Sequence, residues 1–291
     1  MDSMSTNRSF RFIDSHCHLD ADEFKFDLNE MRERARQQGV DLCLIPSVDK
    51  NNFKDVRDLA HRFNDLYALG THPLYTLGAA VEDIAVLREH LANAFQGLDH
   101  SSSKDPLLVA VGEIGLDGAV KSLDWQRQVY FFEQQLKVAL DFDLPVVLHV
   151  RQAVDFVLKG LRKFKVKGGI AHAFNGSLQQ AEQFIAMGFK LGLGGALTYP
   201  RALHLRKLAR ELPAESIVLE TDSPDIVPVW GYVNALLRAG GHPQGRNEPC
   251  ELPRIAQEIA DIRGVPLDSM MKLSTSNFLN IFNLNVSHQT P

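Results

Sequence analysis

Eight short apolar runs recur along the chain, and a longer stretch of helical periodicity follows most of them; no other feature restricts the fold as much. Such alternation describes strand–helix units assembled around a parallel sheet. The runs fall at residues 10–18, 40–48, 66–72, 107–116, 145–150, 168–174, 190–197 and 217–222. Helices are expected between them at 29–38, 52–64, 81–95, 123–141, 153–164, 178–187 and 202–211. Two of the runs, PVVLHV and SIVLETD, are apolar on both faces, as in strands enclosed by helices on one side and neighbours on the other. That favours a barrel or a doubly wound sheet over a sandwich. Eight strands with eight connections favour the closed (β/α)₈ TIM barrel, and no Gly-rich dinucleotide fingerprint follows the first run.

After the eighth run, residues 226–249 are rich in Gly and Pro and are expected to form a long loop over the barrel mouth. Helices should resume at 252–263, 267–273 and 274–283. No linker, repeat or low-complexity segment divides the chain. A single domain is therefore expected over 10–284, with a frayed start at 1–9 and a tail at 285–291.

Composition excludes some functions. At 291 residues, 45% hydrophobic and 23% charged, the chain can bury a large core. Its net charge of −5 opposes a protein that coats DNA and leaves polyanion contact to a local pocket. Three scattered cysteines, Cys17, Cys43 and Cys250, imply reduced thiols and a cytoplasmic site. No leader pattern opens the sequence, and no window approaches the roughly 20 apolar residues of a membrane span. No obligate protein partner is evident.

The first run ends in Ile13-Asp14-Ser15-His16-Cys17-His18. Two histidines two apart on a strand share a face and can grip one cation, while Cys17 points the other way as a packed thiol. Taken alone, the pair is equally a hydrogen-bonded strand end. Four further ligand-type residues, however, close four other runs: Glu113 in VAVGEIGLD, His149 in VVLHVR, His172 in GIAHAF and Asp222 in VLETDSP. Singly, each is as readily an ion-paired or turn-shaping residue. In a barrel all six would converge on the C-terminal rim, where barrel active sites lie. Imidazoles with carboxylates suit zinc, manganese, iron or nickel, with magnesium less natural against four histidines. Two ions a few ångströms apart need a bridging anion, and Glu113 is the best-placed candidate. Such a pair polarises a substrate oxygen and lowers the pKa of water toward neutrality, which is hydrolytic chemistry. Asp222 could then carry the proton to the leaving group.

The ordered set DSHCHLD, GTHP, GEIGLD, LHVRQA, HAFNGS and ETDSP, with SLQQAEQF, GLGGALTYPRA and RNEPCELPRIA, closely resembles the TatD-related deoxyribonucleases over residues 10–284. Within them the chain is most similar to the YjjV-like subgroup of metal-dependent hydrolases. The resemblance implies two divalent metal ions, Mg²⁺, Mn²⁺ or Zn²⁺. His16 and His18 would hold one, His149 and His172 the other, with Glu113 bridging and Asp222 handling protons. It also implies hydrolysis of DNA phosphodiesters from the 3′ end, single-stranded DNA or 3′ ends being the substrate. By the same matching His72 of GTHP and Arg151 of LHVR would face the substrate phosphate; on their own terms they are equally a loop histidine and a salt-bridged arginine. Two positions depart from the pattern. Leu74 stands where a second histidine often follows the HP pair, and Gly118 stands where an aromatic often follows GEIGLD, which removes a base-stacking platform.

Asp117 reads either as a residue orienting a ligand or as a loop cap. The glycines of GLGGAL sit inside the expected strand and read as a close backbone approach rather than a phosphate cradle. His61, His90, His100, His204, His242 and His288 read as solvated surface. Two other functions remain open: a related barrel hydrolase of a small amide, ester or phosphoester, and a metal-binding scaffold without catalysis. Amide-cleaving relatives commonly bridge their metals with a carboxylated lysine, a place that Glu113 takes here. The six intact ligands weigh against the scaffold.

Overall fold

All eight apolar runs form strands in the computed structural model, which describes residues 11–96, 104–241 and 245–284. The strands are β1 (Phe12–Asp14), β2 (Val40–Pro46), β3 (Leu66–Leu69), β4 (Leu108–Asp117), β5 (Val146–Arg151), β6 (Gly169–Ala171), β7 (Phe189–Leu193) and β8 (Ile217–Leu219). They lie side by side in sequence order, each parallel to the next. Every residue of β1, β3, β4, β6 and β8 is buried, as strands covered on both faces require.

Where β8 returns to β1, three backbone bonds draw the two ends of the sheet together. Ser15 donates to the Leu219 carbonyl at 2.9 Å, Asp222 to His16 at 2.9 Å and His18 to Ser223 at 2.8 Å. The result is a nearly closed (β/α)₈ barrel, as the alternation predicts.

Seven helices follow the first seven strands: α1 (Leu28–Gln37), α2 (Phe53–Phe63), α3 (Asp83–Gln96), α4 (Trp125–Asp141), α5 (Val154–Phe164), α6 (Leu178–Ala186) and α7 (Leu203–Glu211). Their starts are coded locally. Asp124 accepts the Arg127 amide at the head of α4, and Ser177 with Gln180 forms a reciprocal capping box at the head of α6. Their inner faces pack on the strands through Leu, Val and Phe side chains, each worth about 1.5–3 kcal/mol when fully buried.

Three expectations are corrected. The strands after which the site is built are shorter than their apolar runs: β1 stops at Asp14, β6 at Ala171 and β8 at Leu219. The expected pair of helices over 267–283 is one continuous helix, α10 (Leu267–Ile281), because nothing in LDSMMKLSTSNFLNI interrupts the periodicity. Residues 226–249 are not one loop over the mouth: they contain the short helix α8 (Ala235–Ala239), and past Ile226 they line a groove beside the cavity. The helix α9 (Leu252–Arg263) falls where expected. α10 seals the β8–β1 seam: Ser274 Oγ accepts the Leu219 amide at 2.9 Å, and Thr275 Oγ1 donates to the Arg11 carbonyl at 2.9 Å. The expected frayed start at 1–9, the tail at 285–291, and His100, His242 and His288 lie outside the described residues. Among the described residues no helix is long and apolar enough to cross a membrane.

Candidate metal centre

The C-terminal ends of the strands open into a cavity of about 880 Å³, with Glu113 near its floor. Glu113 belongs to β4, and its carboxylate is 1% exposed, so its charge must be met by neighbours. Five imidazoles meet it. Oε2 lies 3.1 Å from His16 Nε2 and 3.5 Å from His18 Nε2. Oε1 lies 2.9 Å from His172 Nε2, 3.0 Å from His149 Nδ1 and 3.3 Å from His72 Nε2. One carboxylate thus divides its oxygens between two sets of nitrogen donors. Asp222 Oδ1 joins the first set, 3.5 Å from His16 Nε2 and 3.8 Å from His18 Nε2.

His16 and His18 do not sit on a strand face, as the two-residue spacing suggested, but in the bend after β1. They converge all the same, with their Nε2 atoms 3.2 Å apart. The bend is held by Asp14, whose carboxylate accepts the His16 amide at 3.3 Å, the Thr221 amide at 3.0 Å and the Thr221 hydroxyl at 2.6 Å. The same acid therefore fixes both His16 and the segment that carries Asp222. Asp222 adopts φ +56°, a conformation Asp tolerates better than most residues. Cys17 is fully buried against the Leu44 carbonyl, turned from the centre as expected. Asp14, Cys17 and Cys43 also bring donor atoms within 4.8 Å of one another. Asp14 is already satisfied by Thr221, though, and burial raises both thiol pKa values, so this is a packed cluster.

Burial and neighbouring charge divide the protons. Burial would raise Glu113, but His172, His72 and His16 hold it well below the usual carboxylate range. Against burial, Glu113 and Asp222 hold His172 up at about 10. His16, stacked on His172 with ring centroids 3.9 Å apart, is driven low by burial and by that neighbouring charge. Burial also raises Asp222.

Asp117 serves both of its readings at once. Its Oδ2 lies 3.1 Å from His149 Nε2, while Oδ1 accepts the Ala119 and Val120 amides at 2.7 and 3.2 Å. With Asp117 accepting a hydrogen bond from Nε2–H, the neutral His149 ring turns its Nδ1 lone pair to the centre. His72 lines the cavity within the cluster itself, its Nε2 being 3.0 Å from His149 Nδ1. Its Nδ1 accepts the Leu74 amide at 3.1 Å, so in the neutral ring Nε2 carries the proton. Arg151 ends β5 on the cavity wall, 61% exposed and 3.7 Å from Asp117.

Two acids were not singled out from the sequence: Asp14 and Glu220. Glu220 is buried behind His172, its Oε1 accepting the Ala173 amide and lying 3.8 Å from His172 Nδ1, and burial pushes its pKa up to about 8. It fits only because position 192 is glycine; a Cβ there would stand 2.0 Å from Glu220 Oε2. The close approach expected of GLGGAL is real: the Glu220 side chain makes it at Gly192, while at Gly194 and Gly195, beyond the strand, a Cβ would stand 2.8 Å from the Glu220 carbonyl oxygen and 2.3 Å from that of Ile226. Both acids head their motifs, DSHCH and ETDSP, which was the available signal. His61 and His204 are exposed, as expected of surface histidines, but each is also hydrogen-bonded: His61 Nε2 is 2.8 Å from Asp105 Oδ2, and His204 lines the cavity with Nε2 2.9 Å from the Gly176 carbonyl. His90 packs edge-on against Phe53.

Three donor sets, His16–His18–Glu113, His16–His172–Asp222 and His72–Glu113–His149, each bring their atoms within 4.8 Å, close enough to hold an ion. Comparison with known proteins agrees with this chemistry. A family model described as TatD related DNase matches residues 13–283. An uncharacterized metal-dependent hydrolase of Escherichia coli K12, YjjV, is 36% identical over 277 residues, covering 94% of this chain and 98% of the relative. The 3′-5′ ssDNA/RNA exonuclease TatD of Erwinia tasmaniensis is 30% identical, covering 94% and 100%. The crystal structure of the Escherichia coli YjjV protein, a TatD homolog, superposes with a TM-score of 0.80 at 34% identity, covering 95% of this chain and 99% of that one.

Proposed function

The chain belongs to the TatD-related DNase family and is a metal-dependent hydrolase of that type, and from that premise we propose that it hydrolyses DNA phosphodiesters from the 3′ end with two divalent cations. The observation that carries the reading is the division of the Glu113 carboxylate, Oε2 toward His16 and His18, Oε1 toward His149 and His172.

The residues fit such ions. Imidazole nitrogens face each other at 3.2 Å between His16 and His18 and at 3.4 Å between His172 and His149. Lone pairs so directed need a cation or a proton between them. His16, His18, Glu113, His149, His172 and Asp222 would hold the pair, as Mg²⁺, Mn²⁺ or Zn²⁺. When bound, the cations would polarise a phosphoryl oxygen and make water a nucleophile near neutral pH.

The chain's own groups supply the rest. Asp222 lines the cavity beside the donor sets, so its Oδ atoms can take a proton from the attacking water and return it to the leaving sugar oxygen. Asp117 sets the ring of His149 from behind, and the Glu220 carboxylate stands 3.8 Å behind His172 Nδ1. His72 turns its Nε2 proton toward the centre, where it can donate to a phosphoryl oxygen. The exposed guanidinium of Arg151 offers a planar fork to the same phosphate. Free thiols at Cys17, Cys43 and Cys250 are in keeping with a cytoplasmic enzyme.

One observation favours a second reading, the hydrolysis of a small amide, ester or phosphoester. Asp20, Glu23 and Asp225 on the cavity lining oppose a polyanion, and Leu74 presents an apolar surface. Incubating 5′-labelled single-stranded DNA with Mg²⁺ or Mn²⁺ separates the two. The nuclease reading expects products shortened from the 3′ end, suppressed by chelator and by Asp222→Asn; intact DNA with every cation would overturn it. Turnover of a small amide or ester instead would favour the second, and any turnover removes the scaffold.

A further inference from the structure

Beside the cavity, and sharing Ala196, Asp225 and Ile226 with it, runs a second groove of about 630 Å³. Two tyrosines line it. Tyr199 and Tyr232 meet edge to face with ring centroids 6.0 Å apart at 81°. The Tyr199 hydroxyl donates to the Val227 carbonyl at 2.9 Å, which holds that ring in place. Tyr232 is 50% exposed. Arg201 and Arg238 line the same groove, the Arg201 guanidinium 5.9 Å from the centre of the Tyr199 ring.

Neither guanidinium is hydrogen-bonded or ion-paired to another described residue. By contrast, Arg32, Arg34 and Arg246 are each tied to carboxylates. Unpaired cations beside an open aromatic face are what a single strand requires: phosphates meet charge and an unstacked base meets a ring. The charge around the mouth points the same way. A polyanion leaving the cavity meets Asp20 and Glu23 where the segment after β1 lines it, and Arg201 and Arg238 where the groove begins.

We propose that this groove is a subsite for the nucleotides on the 5′ side of the scissile phosphate in single-stranded DNA. Tyr232 stacks a base, and Arg201 and Arg238 bind backbone phosphates. Asp225 at the junction disfavours a phosphate there, so sugar or base crosses that point. The proposal rests on the nuclease reading and deepens it by giving the strand a path. It also explains how an acidic chain without an aromatic at Gly118 would retain a single strand.

The test uses the full chain in chelator, so that binding is read without turnover, with 5′-fluorescein oligothymidylates and fluorescence anisotropy. Tyr232→Ala should weaken binding of an oligonucleotide about tenfold, in the range for removal of one stacked base. The double variant Arg201→Ala/Arg238→Ala should flatten the log–log salt dependence by about 1.4, near 0.7 for each phosphate no longer neutralised. With cations present, the same variants should cleave bis-p-nitrophenyl phosphate, too small to reach the groove, at the wild-type rate. If wild type degrades the oligonucleotide while the variants bind it with unchanged affinity and salt slope, the subsite is wrong and the nuclease reading stands. If wild type neither binds nor degrades single-stranded DNA, both are wrong.

Discussion

At the end of the barrel where strands begin, Arg32 and Asp65 are both fully buried, and their polar atoms are matched. The guanidinium spans the carboxylate at 2.8 and 2.6 Å and donates to the Val40 carbonyl at 2.9 Å, while Asp65 also accepts the Cys43 amide at 2.9 Å. At the other end Glu113 is buried just as deeply, but there nitrogen faces nitrogen, and His16 Nδ1, His172 Nδ1 and Glu220 Oε2 have no partner among the described residues. Both regions remove charge from water, at a cost that must be met. The first meets it internally and so serves the fold. The second leaves it to something that must bind.

Substitutions should separate the two regions, and the largest effect belongs to the open cluster. Asp222→Asn keeps the shape and tolerates the positive φ, yet removes the charge; kcat should fall about a thousandfold, the scale for losing a group that acts only in the transition state. Its thermal midpoint in chelator should stay near that of wild type, and a large drop would mean that Asp222 is structural. Arg32→Met should do the reverse. Leaving Asp65 buried without its partner should cost about 3–5 kcal/mol in urea unfolding, while kcat per folded molecule is unchanged.

A smaller effect should come from behind the site. Gly192→Ala would place a Cβ against Glu220 and push that carboxylate from His172. Calorimetry should show divalent cations binding about tenfold more weakly, as when a supporting carboxylate is removed. Unchanged affinity would reduce Glu220 to packing.

The smallest effect lies where charge is only half covered. Arg246, then Arg34, holds the Asp27 carboxyl below its ordinary value. A depressed folded pKa stabilises above the unfolded value, near 4, and that contribution is lost as pH falls below it. The melting difference between wild type and Asp27→Asn should therefore be largest at neutral pH, no more than about 1 kcal/mol, and should close toward pH 2. A difference that grows on acidification would contradict the ion-pair account.

The same contrast explains what could be read from the chain. Apolar runs and helical periods gave the order of elements, because burial on two faces leaves a plain pattern in LVAV or VVLHV. They gave the strand ends poorly. Beyond Asp14, Ala171 and Leu219 the path is set by side-chain bonds such as Asp14 to Thr221 and by positive φ at Ala173 and Asp222, neither of which has a periodic signature. The ligand-type residues were legible because few other roles need histidine at so many run ends. The depth of His72 had no signal in the sequence, since it depends on how the turn after β3 packs on His149. Gly118 carried another lesson: a Cβ there would lie 2.5 Å from the Gln152 carbonyl oxygen, so this backbone has closed the position to an aromatic. Tyr199, within GLGGALTYPRA, and Tyr232, ten residues past Asp222, would supply the aromatic faces of the proposed subsite instead.

The most direct measurement is anomalous diffraction from a crystal soaked in Mn²⁺. Two peaks should flank the Glu113 carboxylate, one within coordinating reach of His16 and His18 and the other of His149 and His172. No peak beside Glu113, or one that leaves either histidine pair without a cation, would contradict a carboxylate shared between two ions.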